Sequence, residues 1–214
     1  MRSPSIERCA RTAVRALLAG LAGLLAACAD LGPPRASAGA AAGAEQRVAI
    51  ASRDVDLTGV LFTPAGDPLR RERRPAIVLM HGCGGMVDAR GVLAARHRDW
   101  AERFARWGYV TIVLDSFGPR GLGRICEMKD RPIHPWKERT VDAYAAAAWL
   151  AARGDVDPNA LFLLGWSNGG ATVLSAVRRQ APGRPDGGPG FRAAVAWIAS
   201  SSLAGNDNHL GRLV

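Results

Sequence analysis

From about Gln46 onward, short runs of apolar residues alternate with longer stretches in which apolar positions recur every three or four residues. That alternation predicts an α/β chain with a mostly parallel central sheet flanked by helices. Residues 48–51 and 55–62 predict an opening pair of strands. Residues 76–80 read AIVLM behind Pro75, with no polar position, and so predict a strand covered on both faces. Residues 96–107 place Trp100, Phe104 and Trp107 at helical spacing, so these aromatics are expected to pack into the core. Next come a buried strand at 109–114, a loop rich in Gly, Pro and Arg at 116–135, and an Ala-rich helix at 141–152. A strand at 161–164, a helix at 169–179 and a last strand at 191–198 complete the pattern, which shows no internal repeat.

The first 27 residues follow another logic. Arg2, Arg8, Arg11 and Arg15 precede the uncharged apolar run 16–27 (ALLAGLAGLLAA). A helix of that length rises about 18 Å against a hydrocarbon core of roughly 30 Å, so a removable export signal is expected rather than a membrane span. The run ends Leu25-Ala26-Ala27-Cys28, which resembles the lipobox of bacterial lipoprotein signals. The resemblance implies a lipidated Cys28 and a protein held on the membrane of the bacterial cell envelope; an ordinary secretory signal with a chance cysteine is the alternative. Residues 28–45, rich in Ala, Gly and Pro, read as a flexible tether, and 46–214 as the folded domain.

Composition narrows the function classes. With 48% hydrophobic residues the chain can bury a core, and its 214 residues suit one ordinary domain. Its 28 Lys and Arg against 19 Asp and Glu leave a net charge of +9, but the excess is scattered and forms no basic stripe, so no nucleic-acid partner is expected. Of four cysteines, Cys9 would leave with the signal and Cys28 would carry lipid. Cys83 and Cys126 remain, free to pair in an exported compartment or to stay as two buried thiols.

The chemistry concentrates at two glycine-rich segments. Residues 161–170 read LFLLGWSNGG, a buried strand running into Gly165-Trp166-Ser167-Asn168-Gly169 and then a helix. This is the G-x-S-x-G arrangement in its strand-turn-helix context. Small residues two before and two after the serine allow a turn tight enough to lift the Ser167 hydroxyl above the sheet edge, at the positive end of a helix. The second segment, His81-Gly82-Cys83-Gly84-Gly85, follows the strand at 76–80. It resembles the loop that completes an oxyanion hole in α/β-hydrolases, with the backbone amides of Cys83 (or Gly84) and Asn168 as the two donors. His81 is expected to be structural, because in that fold the general base follows the serine.

With Asp115-Ser116-Phe117-Gly118-Pro119-Arg120-Gly121 and Val156-Asp157-Pro158 in the same order, residues 47–199 resemble the dienelactone hydrolase family. The resemblance implies a lidless α/β-hydrolase fold that hydrolyses small esters or lactones through a triad with Ser167 as nucleophile, without metal or cofactor. Dienelactone hydrolase proper has a cysteine at the elbow, so Ser167 points to a serine esterase-like member.

The carboxyl end departs from that pattern. The fold takes its acid and base from loops after two further strands, yet 47 residues follow Ser167 and offer only Asp186, Asp207 and His209. The chain is therefore expected to lack the family's last strands, to be shortened relative to an active hydrolase, and to leave the strand at 191–198 as an open edge. A non-catalytic scaffold, inert or retained for binding, is the alternative function. His97 is expected to be solvated, His134 to be structural or to touch substrate, and Asp115 to fix a local turn.

Overall fold

The computed structural model describes residues 42–66, 72–186 and 190–198; the expected signal, Cys28, most of the tether, Asp207 and His209 lie outside them. The described elements run β1 (Ala42–Ala51), β2 (Asp56–Pro64), β3 (Arg74–Met80), α1 (Ala95–Arg106), β4 (Val110–Asp115), a 3-10 turn at Gly118–Arg120, α2 (Glu138–Ala151), β5 (Val156–Trp166), α3 (Asn168–Ala176) and β6 (Ala193–Trp197). The strands form one sheet in the order β1-β2-β4-β3-β5-β6. β2 pairs antiparallel with both β1 and β4, whereas β4, β3, β5 and β6 are mutually parallel.

Alternation of side chains across the sheet divides the core in two. Val78, Met80, Ile112, Leu114 and Leu163 face Ala143, Ala146 and Leu150 of α2 and Val173 of α3. Ile77, Leu79, Val113, Leu164 and Trp166 face Ala101 and Ala105 of α1. β3 and β4 are thus apolar at consecutive positions because each face is covered. Fully burying each such side chain is worth about 1.5–3 kcal/mol. Residues 116–135 carry a third, smaller core, in which Phe117, Ile125 and Ile133 are buried with Cys83 and Leu122 packed against them.

Several elements differ from expectation. β1 starts at Ala42, inside the segment read as tether: Glu45 pairs with Phe62 and holds Arg98 of α1 in a two-pronged ion pair at 2.6 and 3.1 Å. His97, expected to be solvated, is buried; it lies on the sheet-facing side of α1, its ring 5.3 Å from that of Trp166. Trp107, expected in the core, is 54% exposed because α1 has ended at Arg106, and it touches only the rim of the aromatic cluster through Phe104. β5 is longer than its apolar run and takes in Val156-Asp157-Pro158. α3 stops at Ala176, three residues short. Among the described residues β6 is the sheet edge, with Val195 54% and Trp197 61% exposed.

Candidate active site

The parallel strands β3 and β5 end side by side, Met80 opposite Gly165, so the chain leaves the sheet at His81 and at Ser167 on the same edge. That edge is where open α/β sheets carry their ligands. Ser167 has φ 52° and ψ −115°, the one non-glycine residue with positive φ among the described residues. Such a backbone costs about 1–3 kcal/mol and persists only where the surroundings enforce it. Here the Ser167 N–H donates to the Trp197 carbonyl at 2.7 Å, and the Ser167 carbonyl accepts from the Ala171 N–H at 3.0 Å. A methyl group on Gly165 would strike the Gly169 backbone; on Gly169 it would lie 2.6 Å from the His81 carbonyl oxygen, and on Gly170 2.6 Å from Ile198. The glycines around the serine are therefore required by contact, and the Ser167 side chain is left exposed at the head of α3.

The glycine loop meets this turn directly. A methyl group on Gly82 would sit 3.3 Å from the Trp166 carbonyl oxygen and 3.5 Å from the Ser167 Cβ, so the bare backbone lies against the serine. The Gly85 N–H closes a turn onto the Gly82 carbonyl at 3.2 Å. Cys83 is fixed to the 116–135 segment twice, by the Ile125 N–H donating to its carbonyl at 2.9 Å and by a disulfide to Cys126 with Cα atoms 4.9 Å apart. Neither the Cys83 nor the Asn168 N–H donates to a backbone carbonyl among the described residues, and at Asn168 this follows from its place in the first turn of a helix.

His81 is fully buried beneath the loop. Its Nδ1 lies 2.8 Å from the Gly82 carbonyl, and its Nε2 accepts from the Ser116 N–H at 3.3 Å. Burial, reinforced by the charge of Arg139, pushes its titration well below the ordinary histidine range, which keeps it neutral with the proton on Nδ1. Asp115 accepts from the Phe117 and Gly118 N–H groups at 2.9 Å each and so closes the turn after β4. His97 is likewise held down, to about 4, by burial. His134 stacks on Trp136 at 5.0 Å while its N–H donates to Glu138. No histidine hydrogen-bonds the Ser167 hydroxyl among the described residues. Nor do those residues gather three groups able to hold a metal ion.

Two residues of this region escape a reading of the sequence. Arg139 is fully buried, with one guanidinium nitrogen on the Asn168 side-chain oxygen and another on the His81 carbonyl at 2.8 Å. Burial pulls it down to about 9, against the opposing pull of Asp142 and Asp115, and it remains charged at neutral pH. Asp142 is buried too, gripped at both oxygens by Arg120 at 2.9 Å and touched by the Ser52 hydroxyl at 3.2 Å. Arg120 also holds Asp54; burial opposes its charge, but the two carboxylates outweigh it and raise its pKa. The signal for Arg139 lies in helical spacing: Arg139, Ala143, Ala146 and Leu150 form one buried stripe of α2, with a charge at its first position.

The sequence profile of the prolyl oligopeptidase family matches residues 97–202. The quorum-quenching protein AidA of Acinetobacter baumannii is 32% identical over 128 residues, which is 59% of this chain; the chain spans 37% of that relative's length. A Thermogutta terrifontis esterase with propionate bound superposes with a TM-score of 0.50 at 27% identity, covering 76% of this chain and 56% of its own. A putative dienelactone hydrolase from Klebsiella pneumoniae gives 0.50 at 18% identity, covering 75% and 77%. An acylaminoacyl peptidase in complex with a chloromethyl ketone gives 0.51 at 18%, covering 73% and 23%.

Proposed function

We propose, from the premise that this chain has an α/β-hydrolase fold, that it is a serine hydrolase cleaving a small ester or lactone through an acyl-enzyme. The single observation that carries the reading is the backbone of Ser167, strained to positive φ at the head of α3 with its side chain exposed and Gly82 against its Cβ. Strain of this kind is retained where a reacting group must be presented. In the proposed reaction the Ser167 oxygen bonds the substrate carbonyl carbon, the carbonyl electron pair moves onto its oxygen, and the N–H groups of Cys83 and Asn168 receive that oxyanion. The serine proton passes to a general base and then to the leaving alkoxide, and water releases the acyl group. The base is a group outside the described residues; within this sequence beyond Ile198, His209 is the one histidine. A hydrolase in the finer sense of the dienelactone hydrolase family is supported by the motif order and by the Klebsiella neighbour's fold, and esterase chemistry by the Thermogutta neighbour.

We place the protein, on the same footing, in the bacterial cell envelope, exported and tethered by a lipidated Cys28. The Arg-rich start, the apolar run and the Cys83–Cys126 disulfide support that placement. Lipid labelling that disappears in Cys28→Ser tests it, and labelling that survives the substitution refutes it.

A fluorophosphonate probe tests the catalytic reading, because it needs an activated serine. Labelling of the full chain that is lost in Ser167→Ala, together with turnover of p-nitrophenyl acetate, is expected. The alternative of a non-catalytic scaffold is favoured by the lack of a base on Ser167 among the described residues, and a folded full chain that takes no label establishes it.

A further inference from the structure

We propose that Arg139 is a positioning residue that sets the separation between the two oxyanion donors and places a positive charge behind them; the proposal rests on the serine hydrolase reading above. A guanidinium on the apolar stripe of α2 carries a heavy desolvation cost, so its presence there calls for partners that need it. Its fork reaches two chain segments that are far apart in sequence: Nη1 donates to the side chain of Asn168, directly after the nucleophile, and Nη2 donates to the carbonyl of His81, two residues before Cys83. Those segments carry the two proposed donors. A planar guanidinium has a fixed spacing between its nitrogens, so bridging the segments fixes the spacing of the amides they bear.

The fork cannot turn freely. The Phe117 ring lies 4.8 Å from the guanidinium carbon and packs in a T-shaped arrangement against the ring of His81, at 4.4 Å and 78°. Nε is the one nitrogen of the group left without a partner. The nearest carboxylates are committed elsewhere, Asp115 to the Phe117 and Gly118 amides and Asp142 to Arg120 and Ser52. Neither forms a hydrogen bond to Arg139, so the guanidinium stays on the two segments that bear the donors, its charge only partly offset by those carboxylates.

Donor spacing and field both act on an oxygen that becomes charged only in the tetrahedral state. Their loss lowers kcat and leaves KM nearly alone. The full chain, Arg139→Lys and Arg139→Met are compared for fluorophosphonate labelling rate and for kcat and KM on p-nitrophenyl acetate, with circular dichroism melts to confirm folding. In Arg139→Met we expect kcat about a hundredfold lower with KM within twofold. Arg139→Lys, which keeps the charge but has no fork to span both segments, is expected to recover roughly tenfold of that loss. A labelled wild type whose folded Arg139→Lys and Arg139→Met variants match it in kcat, or differ in KM alone, overturns the positioning role and leaves the hydrolase reading standing. An unlabelled wild type overturns both. Should Arg139→Met fail to fold, unchanged kcat in folded Arg139→Lys is sufficient to overturn the proposal.

Discussion

On one side of Ser167, the chain between Met80 and Cys126 is fastened by the Arg139 fork on the His81 carbonyl, the His81 ring on the Ser116 amide, the Ile125 amide on the Cys83 carbonyl, and the disulfide. On the other side, β6, the edge strand among the described residues, meets the elbow through its ladder to β5 and the Ser167 N–H bond to Trp197, with Val195 and Trp197 exposed. The difference separates two requirements of serine chemistry. In the proposed reaction the nucleophile and its amide cradle come from two adjacent strand ends and the loops they start. The general base of that reaction is a group outside the described residues, none of whose histidines hydrogen-bonds the Ser167 hydroxyl.

The largest effect is expected on the fastened side. Replacing Cys126 by Ser is expected to cost about 4 kcal/mol, the entropy of a loop with its ends 43 residues apart, read by urea denaturation against the oxidised protein. An effect below about 1 kcal/mol shows that the remaining ties suffice without the bond. Gly169→Ala comes next, at about 3 kcal/mol or more, because its methyl group meets the Met80 and His81 carbonyls, which sit on rigid strand ends.

Acid sharpens the same side. Burial holds His81 far below 6.5 and His97 at about 4, so below pH 6.5 the unfolded chain binds more protons than the folded one. Stability is therefore expected to fall as pH drops from about 6.5 toward 4, by up to about 1.4 kcal/mol per pH unit for each histidine. Urea midpoints across that range read it, and His97→Gln should remove about half the slope. Ser167→Gly should abolish turnover while raising stability by about 1 kcal/mol, since glycine relieves the positive φ. The smallest effect belongs to the open side: Trp197→Lys is expected to change unfolding free energy by no more than about 0.5 kcal/mol while lowering self-association measured by light scattering.

The features readable from the sequence were those decided by neighbours along the chain. The strands at the centre of the sheet and the glycines around Ser167 answer to local rules of coverage and crowding, and both were placed within a few residues. Arg139 is not legible in the sequence because the helical pattern begins only at 141 and Lys137-Glu138-Arg139 looks like solvated chain before it; the helix starts at Glu138 instead, and the burial of Arg139 is imposed by His81 and Asn168, distant in the chain. His97 misled for the same reason, flanked as it is by Arg96, Arg98 and Asp99 on a helix whose inner face is set by Trp166. Trp107 failed oppositely, continuing a helical spacing one residue past the end of α1.

The hydrogen bond from the Ser167 N–H to the Trp197 carbonyl makes the rim of the sheet an extension of the serine's own backbone. Any displacement of the end of β6 is therefore carried, through one amide, into the strained turn that holds the serine.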